Sequence, residues 1–434
     1  MVQCGGPVGP DGVEVVFDDD NAVANAGVGL VATLSERLGI EQLADACVDL
    51  AGRAGAGNEG AKVMTLVSAM ALGADCIDDV DVLRAGRTAD LLGHRVLAPS
   101  TIGTFLRSFT FGHVRQLDRL LGEALGRAWT AGAGPGSNRL VVDVDSFVGE
   151  VFGTAKQGAA FGYTRVRGYH PILATRADTG EIIQIRLRTG SANTSRGMPR
   201  FCDELIARVA RAGATGPKLL RADSGFWNNK IFKRLDRAGW QFSIGVRLNP
   251  SVRATIDAID EQAWVTLEDY PPTSIAQIAE TTHGGRRLVV RRVRTLDRQG
   301  QLLPSWELFP LITNRTDDLG VVEAEHRQHA RVELAIRDLK DQALAHFPSG
   351  HFFANAAWTV IAALAHNLLR QTQLLGLPDS TIRTAATIRR RLLALPGRLV
   401  CSARRWTLRM PARWPWADAF LAALQRIRAL PPPA

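Results

Sequence analysis

The sequence predicts an α/β protein, with a mixed sheet that carries helices on both faces and an all-helical region before it. Three observations support this prediction. Apolar residues recur at helical spacing between residues 30 and 130, a glycine-, alanine- and proline-rich segment at 130–138 ends that pattern, and strand-like runs alternate with amphipathic helices from Arg139 onwards. The 434 residues are enough for two or three domains with sizeable cores.

Three stretches of the first 130 residues predict helices. "LSERLGIEQLADACVDL" begins at Leu34 with helical spacing, and Ser35 can cap it. "AKVMTLVSAMALG" is more apolar, and "STIGTFLRSFTFGHVRQLDRLLGEALGRAW" starts at a cap near Ser100 and Thr101. We therefore interpret residues 1–130 as one helical N-terminal region.

The hydrophobic pattern changes after the linker at 130–138. Strands are predicted for "RLVVDVDSFVGEVFG", "KLLRAD" and "WQFSIGVR", a hairpin for "YHPILATRADTGEIIQIRLR" and an amphipathic helix for "FCDELIARVARAG". Residues 250–305 are β-rich and irregular, "ELFPLITN" has the pattern of a buried strand, and a long helix is expected from about Leu319. This alternation places the mixed sheet within residues 139–375.

Composition limits the class of protein. The chain is 46% hydrophobic and 22% charged, as in ordinary globular proteins. Its five cysteines are scattered and odd in number, which favours reduced thiols in the cytoplasm over a disulfide framework or a zinc ribbon: Cys4, Cys47, Cys76, Cys202 and Cys401. The N-terminus has no signal-peptide layout, and His366 and Asn367 interrupt the most apolar window, so we expect no membrane partner.

The net charge of +9 is unevenly distributed. Residues 1–138 carry 10 basic and 17 acidic side chains, whereas residues 381–434 carry 11 arginines and a single acid, Asp418. Guanidinium groups interleaved with tryptophans suit a phosphate backbone, so the basic region 381–434 is a candidate for contact with nucleic acid. The alternative is that the arginines reflect composition alone.

Carboxylates occur at the ends of two predicted strands. Asp143 and Asp145 point to the same face of the first strand, opposite Val142 and Val144. Asp223 follows the strand "LLRA" and precedes Ser-Gly, which is also common turn chemistry. Carboxylates in an apolar strand are costly unless a cation satisfies them, so they are either ligands or partners of arginines.

The long helix has two stripes. Val332, Ile336, Leu339 and Ala343 form the predicted buried stripe. A polar stripe runs beside it, and its members are His326, His329, Glu333, Arg337 and Lys340. A solvated face would explain the two cations better than it explains the His-His-Glu run, and a zinc site at this spacing lacks a fourth candidate ligand.

The order Asp145, Asp223, Glu333 on strand, strand and helix resembles the catalytic triad of DDE transposases of bacterial insertion sequences. The spacings are 78 and 110 residues, and the long second gap is similar to that of the branch with a β-rich insertion before the glutamate helix. That branch has a signature of Tyr, two residues, Arg, three residues, Glu, six residues, Lys. Glu333 and Lys340 match it, while His326 stands for the tyrosine and His329 for the arginine. "GYHPILA", "RLRTGSANTS" and "RADSGF" also resemble that branch.

The resemblance implies a ribonuclease H-like fold, a β-rich insertion at about 250–305, and a catalytic domain at 139–375. It also implies that Asp145, Asp223 and Glu333 bind two Mg²⁺ or Mn²⁺ ions, because in-line displacement at phosphorus commonly uses two divalent ions with oxygen ligands. Asp143 competes with Asp145 for the first position, since both lie on the same face; Ser146 after Asp145 matches the family pattern.

The expected partner is double-stranded DNA, both the element ends and the target, bound by a homodimer because two ends must be joined. Candidate DNA contacts are His326, His329, Arg337 and Lys340 beside the triad, and Arg107, Arg115 and Arg119 in the N-terminal region. Tryptophans and arginines of the insertion could clamp an end or belong to a sheet edge and core: Trp264, Trp306, Arg286, Arg287, Arg291, Arg292 and Arg294.

Three functions remain open from sequence. The first is a cut-and-paste transposase of the bacterial cytoplasm that binds the terminal inverted repeats of its own element. The second is a structure-specific nuclease with the same core, and the third is an inactive, transposase-derived regulator that only binds DNA. The presence of all three carboxylates disfavours the regulator.

Overall fold

The computed structural model of the chain describes residues 11, 13–162, 164–296, 300, 302, 305–378 and 380–432. Cys4 and parts of the predicted insertion and termini lie outside these residues. The α-helices in the described part are α1 Gly29–Arg37, α2 Ile40–Cys47, α3 Glu59–Ala71, α4 Thr88–Leu91, α5 Pro99–Arg107, α6 Phe111–Ala128, α7 Met198–Arg211, α8 Asn229–Arg237, α9 Pro250–Asp257, α10 Leu319–Arg327, α11 Val332–Lys340, α12 Phe352–Gly376, α13 Ala385–Ile388 and α14 Ala417–Arg428. The strands are β1 Ala22–Val23, β2 Leu140–Ser146, β3 Gly149–Glu150, β4 Ala160–Phe161, β5 Arg167–Tyr169, β6 Ile172–Arg176, β7 Ile182–Arg186, β8 Lys218–Ala222, β9 Gln241–Gly245, β10 Val265–Thr266, β11 Ser274–His283, β12 Arg286–Thr295, β13 Glu307–Thr313, β14 Gly397–Ser402 and β15 Arg405–Arg409.

The central sheet has the order β10-β11-β12-β13-β9-β8-β2-β6-β7. Strands β2, β8 and β9 are parallel, whereas β6 and β7 form an antiparallel hairpin against β2. Adjacent residues of β9 show that helices cover both faces: Phe242 stacks on Phe232 of α8, and Ser243 bonds to His326 of α10. The mixed, ribonuclease H-like sheet expected from the sequence is confirmed.

The β-rich insertion extends this same sheet. Strand β13 pairs antiparallel with β9, with Leu311 opposite Gly245, and the long hairpin of β11 and β12 continues outwards from β13. Strand β13, which follows the insertion, therefore covers what would otherwise be the open edge of β9, and the insertion hairpin covers β13 in turn. Its remaining edge is the two-residue strand β10.

The helical region shares one hydrophobic core with the sheet. Helix α12 is buried along nearly its whole length and packs against α1, α3, α5, α6 and β7. By length and composition α12 could cross a membrane, but 89% of its most apolar window is buried inside the protein. The linker at 130–138 marks a change of texture along the chain, while the core continues across it from Val28 to Ile427.

The C-terminal region is also packed on this core. Strand β14 pairs with β1, and α14 packs on α1 and α12 through Phe420, Ala423 and Ile427, which are all buried. Most of its arginines nevertheless lie on the surface, including Arg404, Arg405 and Arg409. The region thus combines a buried apolar side with an exposed cationic one.

The expectation of one unbroken helix from Leu319 is wrong in one respect. A 3₁₀ turn, Gln328–Arg331, separates α10 from α11. The guanidinium of Arg221 donates to the carbonyl oxygens of Glu325 and Gln328, so these carbonyls have partners outside the helix. The predicted buried stripe of Val332, Ile336, Leu339 and Ala343 is confirmed.

Candidate active site

Asp145 lies near the end of β2, half-buried and without a cationic partner among the described ion pairs. Its Oδ1 accepts a hydrogen bond from the backbone N–H of Ser146 at 2.6 Å. Burial raises the pKa of Asp145 to about 6 from 3.8, and the negative charges of Asp223 and Glu333 act in the same direction. The bond from Ser146 and the charge of His329 oppose the shift only in part.

Asp223 follows β8 and caps the short 3₁₀ turn Ser224–Phe226. Its Oδ1 accepts the N–H of Gly225 at 2.9 Å, so Asp223 does form the turn that Asp-Ser-Gly suggests. A Cβ at Gly225 would lie 2.7 Å from Thr194 Cγ2, which explains the glycine. Only Oδ1 takes part in the turn, and the turn holds the carboxylate in place.

Glu333 is exposed in the first turn of α11 and lines the same pocket as Asp223. This pocket has a volume of about 600 Å³ and lies where the ends of β8 and β9 meet the helix break. His326, His329, Ala330 and Arg247 contribute further lining. The fold therefore brings together the end of β8 and the glutamate helix. Asp145 is close enough to interact electrostatically with the carboxylates of Asp223 and Glu333.

Asp143 has a different environment from Asp145. It is fully buried, and its Oδ1 and Oδ2 accept from Nε and Nη2 of Arg221 at 2.7 and 2.8 Å. Arg221 lies directly opposite Asp143 on the parallel strand β8. Both oxygens of Asp143 are thus occupied by a bidentate ion pair inside the protein.

The two histidines are held by the ends of the strands. His326 Nδ1 lies 2.8 Å from Ser243 Oγ, and burial, together with nearby positive charges, lowers the pKa of His326 to about 3. His329 Nε2 donates to the carbonyl of Val144 at 3.2 Å, and the two imidazole rings stack with an interplanar angle of 11°. His326 is therefore neutral at pH 7.

The other candidate DNA contacts lie in different environments. Arg337 and Lys340 are exposed on α11, one and two turns beyond Glu333. Arg107 is exposed at the end of α5, and Arg119 pairs with Glu123 on the surface. Arg115 bonds Asp118 at 2.8 Å and Glu204 of α7 at 2.9 Å, so it ties the helical region to the sheet domain.

The tryptophans of the insertion pack against its arginines. The Arg292 guanidinium lies 4.1 Å from the Trp264 ring centre and 4.5 Å from that of Trp306, and it also pairs with Glu261. Arg294 lies 4.3 Å from the Trp306 ring centre. These contacts favour the interpretation that the tryptophans and arginines of the insertion belong to a sheet edge and core.

Sequence reasoning missed three supporting residues. Arg221 neutralises Asp143, Ser243 holds His326, and His170 Nε2 lies 3.0 Å from the Oγ of Ser146 beside Asp145. An arginine in the middle of the apolar run "KLLRAD" was the one available signal, because a cation on a central strand requires a buried acid. The Ser243 contact has no comparable pattern in the sequence.

The triad carboxylates are suited to hold a cation. Three acidic groups share one site, and burial, together with the charges of Asp223 and Glu333, raises the pKa of Asp145. Oxygen donors without sulfur suit Mg²⁺ or Mn²⁺. Elsewhere, Asp75, Cys76 and Asp79 come within 4.8 Å of one another, where Asp79 Oδ2 accepts two backbone N–H groups of its own loop.

The mixed sheet thus carries an acidic centre where the ends of its parallel strands meet the glutamate helix. The family model of the transposase DDE domain, group 1, matches residues 6–432, and the chain belongs to this family. Among solved structures, it is similar to a piggyBac transposase synaptic complex with hairpin DNA, determined by cryo-EM. That match has 12% sequence identity, covers 85% of this chain and 79% of the other, and has a TM-score of 0.44. No curated protein matches.

Proposed function

We propose that this transposase cleaves the ends of its own element and joins them to target DNA in a metal-dependent, cut-and-paste reaction. The observation that supports this most directly is the unneutralised carboxylate set of Asp145, Asp223 and Glu333, next to a neighbouring carboxylate that is fully neutralised. A protein that only bound DNA would gain nothing from an uncompensated acidic centre facing phosphates.

In this proposal Asp145, Asp223 and Glu333 hold two Mg²⁺ or Mn²⁺ ions. Two ions held there would supply activation of the attacking oxygen and stabilisation of the leaving one. Asp145 is the preferred first ligand, because both oxygens of Asp143 are engaged by Arg221. The turn at Gly225 holds the Asp223 carboxylate, so little conformational entropy remains to be lost on ligation.

The surrounding side chains act on the DNA. Neutral His326, held by Ser243, offers one ring nitrogen to the strand, and His329 is oriented by the carbonyl of Val144. Arg337 and Lys340 extend from the same helix as Glu333 and contact phosphates flanking the reacting one. Arg107 and Arg119 provide more distant contacts with the duplex, whereas Arg115 supports the fold through its ion pairs.

The partners follow from this reaction. The protein binds double-stranded DNA, both element ends and target, as a homodimer, since two ends are joined in one event. We place it in the cytoplasm of the bacterium that carries the insertion sequence. The exposed arginines of 381–434 add non-specific attraction to the duplex.

The direct test incubates purified protein with a labelled duplex that carries an end of the element, with Mg²⁺, Mn²⁺ or EDTA, and with a target plasmid. We expect cleaved ends and joined products with either metal and none with EDTA. Full cleavage in EDTA would contradict the metal-dependent mechanism. Cleavage without any joined product would favour the structure-specific nuclease, and binding without cleavage would favour the regulator.

A further inference from the structure

A second, smaller pocket lies behind the loop that connects β7 to α7. Its volume is about 260 Å³, and its lining includes Arg186, Arg188, Arg196, Gly197 and Phe201. Pockets for drug-sized ligands usually measure about 300–1,000 Å³. This pocket lies just below that range, so a small group such as a phosphate fits within it, and three arginines line it.

Arg188 has an unused donor at this pocket. It is only 9% exposed; its Nε donates to the carbonyl of His170 at 2.9 Å and its Nη1 to that of Thr194 at 2.9 Å. Within the described residues Nη2 has no hydrogen-bond partner. A buried guanidinium nitrogen without an acceptor is costly, so an acceptor from outside the chain would stabilise the site. Burial and the charge of Arg186 lower the pKa of Arg188 to about 10, as expected of an uncompensated cation.

The positive end of α7 adds to the pocket. This 14-residue helix begins after Gly197 with no side-chain cap and no acidic residue in its first turn. A Cβ built at Gly197 would meet nothing within 4 Å, so the space before the helix is open. An uncapped helix N-terminus favours an anion.

Glu204 pairs with Arg186 but leaves the other two arginines of the pocket without an acidic partner among the described ion pairs. Glu204 of α7 is already shared between Arg115, Arg186 and Arg200. Arg196 stands exposed at the rim, and Arg188 faces backbone carbonyls rather than a carboxylate. The local balance of charge is therefore cationic.

The pocket is connected to the acidic centre by short contacts. Arg188 holds the carbonyl of His170, whose Nε2 contacts Ser146, the residue after Asp145. Thr194, which accepts from Arg188, packs on Gly225 of the turn that holds Asp223. An anion in the pocket would thus lie behind a loop that contacts the Asp223 turn at Gly225 and, through His170, the residue after Asp145.

We propose that the pocket of Arg186, Arg188, Arg196 and the α7 N-terminus binds a phosphate group. On the proposed transposase function, on which this assignment of the source rests, the phosphate belongs to the DNA backbone a short distance from the reacting one. Bound there, it would fix the strand near the carboxylates, in addition to the contacts proposed for Arg337 and Lys340.

The first experiment needs neither DNA nor catalysis, so it is independent of the proposed function. Melting of the full chain is measured in inorganic phosphate and in chloride at equal ionic strength and pH, and phosphate affinity is measured by calorimetry. We expect phosphate to raise the melting temperature, because a ligand of the folded state stabilises it. No difference between phosphate and chloride would overturn the proposal.

Two variants locate the binding. Arg196→Gln, at the exposed rim, should weaken phosphate affinity about three- to tenfold without changing the melting temperature in chloride. Arg188→Lys keeps the charge but loses the planar fork, and should remove most of the phosphate-induced shift. Arg211→Gln, at the opposite end of α7, is the matched control and should bind phosphate as the unmodified chain does. Equal weakening by Arg196→Gln and Arg211→Gln would overturn the location.

The second experiment identifies the source of the phosphate. Binding of duplex DNA is measured against salt for Arg196→Gln and Arg211→Gln. A backbone phosphate predicts a log–log salt slope lower by about one for Arg196→Gln only. Phosphate binding with unchanged DNA binding would support the pocket and assign it to free phosphate instead.

Discussion

Two carboxylates two residues apart on one strand have opposite environments. Asp143 is buried with both oxygens on Arg221, whereas Asp145 is half-buried, with two further carboxylates within electrostatic range. Burial raises the pKa of both carboxylates. Arg221 of the chain itself neutralises Asp143, whereas the carboxylates of Asp145, Asp223 and Glu333 are left for a cation from solution. The comparison teaches that countercharge, more than the acidic residue itself, distinguishes a structural carboxylate from a ligand.

The largest expected effect concerns the three carboxylates of the acidic centre. Asp145→Asn, Asp223→Asn and Glu333→Gln should each lower metal-dependent cleavage on the order of 100-fold or more, since even loss of a residue that supports a ligand costs about 10–100-fold. DNA affinity should be kept, because it comes mainly from cations that meet phosphates. Asp341→Asn, an exposed acid just past α11, is the control and should cleave normally. Normal cleavage by Asp223→Asn would show that Asp223 serves only the turn and is not a metal ligand.

The next largest effect concerns the buried ion pair of Asp143 and Arg221. Asp143→Asn leaves the Arg221 charge buried and unpaired, so we expect a loss of about 3–5 kcal/mol in the free energy of unfolding, measured by urea denaturation. The double variant Asp143→Leu with Arg221→Met should regain much of this loss, because it removes both charges together. A stable Asp143→Asn protein that cannot cleave would reverse the comparison and make Asp143 the ligand.

The pKa of Asp145 predicts how the site responds to pH. Metal ligation needs the ionised carboxylate, so affinity for Mn²⁺ should rise about tenfold per pH unit up to about pH 6 and then level off. Without metal, the folded chain holds this proton more tightly than the unfolded chain between about pH 4 and 6. Its stability should therefore fall as pH rises through that window. Both trends should disappear in Asp145→Asn; an unchanged pH profile in that variant would assign the titration to another group.

The smallest effect concerns the exposed cations of the C-terminal region. Deleting residues after Leu377 would expose the core under α14, so single substitutions are the better probe. Arg405→Gln and Arg409→Gln, both exposed on β15, should each lower the log–log salt slope of DNA binding by about one with unchanged melting temperature. Arg84→Gln, whose side chain pairs with Asp81, should leave the slope as it was. Equal slopes in all three variants would show that the tail arginines do not meet phosphates.

Much of the molecule follows from local pattern. Helical spacing before residue 130, alternation after 139, the β-rich segment and the buried stripe of α11 were all predictable, because periodicity reports which face of an element is covered. The order of carboxylates on strand, strand and helix was enough to indicate the family. The helix break at Gln328–Arg331 was not predictable, since its cause, Arg221, lies more than 100 residues away in the chain.

The sequence by itself determined the kinds of element, the family and the candidate carboxylates, because these depend on residue type and spacing within single segments. Only the tertiary structure decided between Asp143 and Asp145 as the neutralised acid, merged the insertion into the main sheet and packed the arginine-rich tail on α12. It also placed His326 half-buried against Ser243 and left Arg188 Nη2 without an acceptor among the described residues. The physical reason is that burial and countercharge arise between segments distant in the chain, so no local pattern contains them.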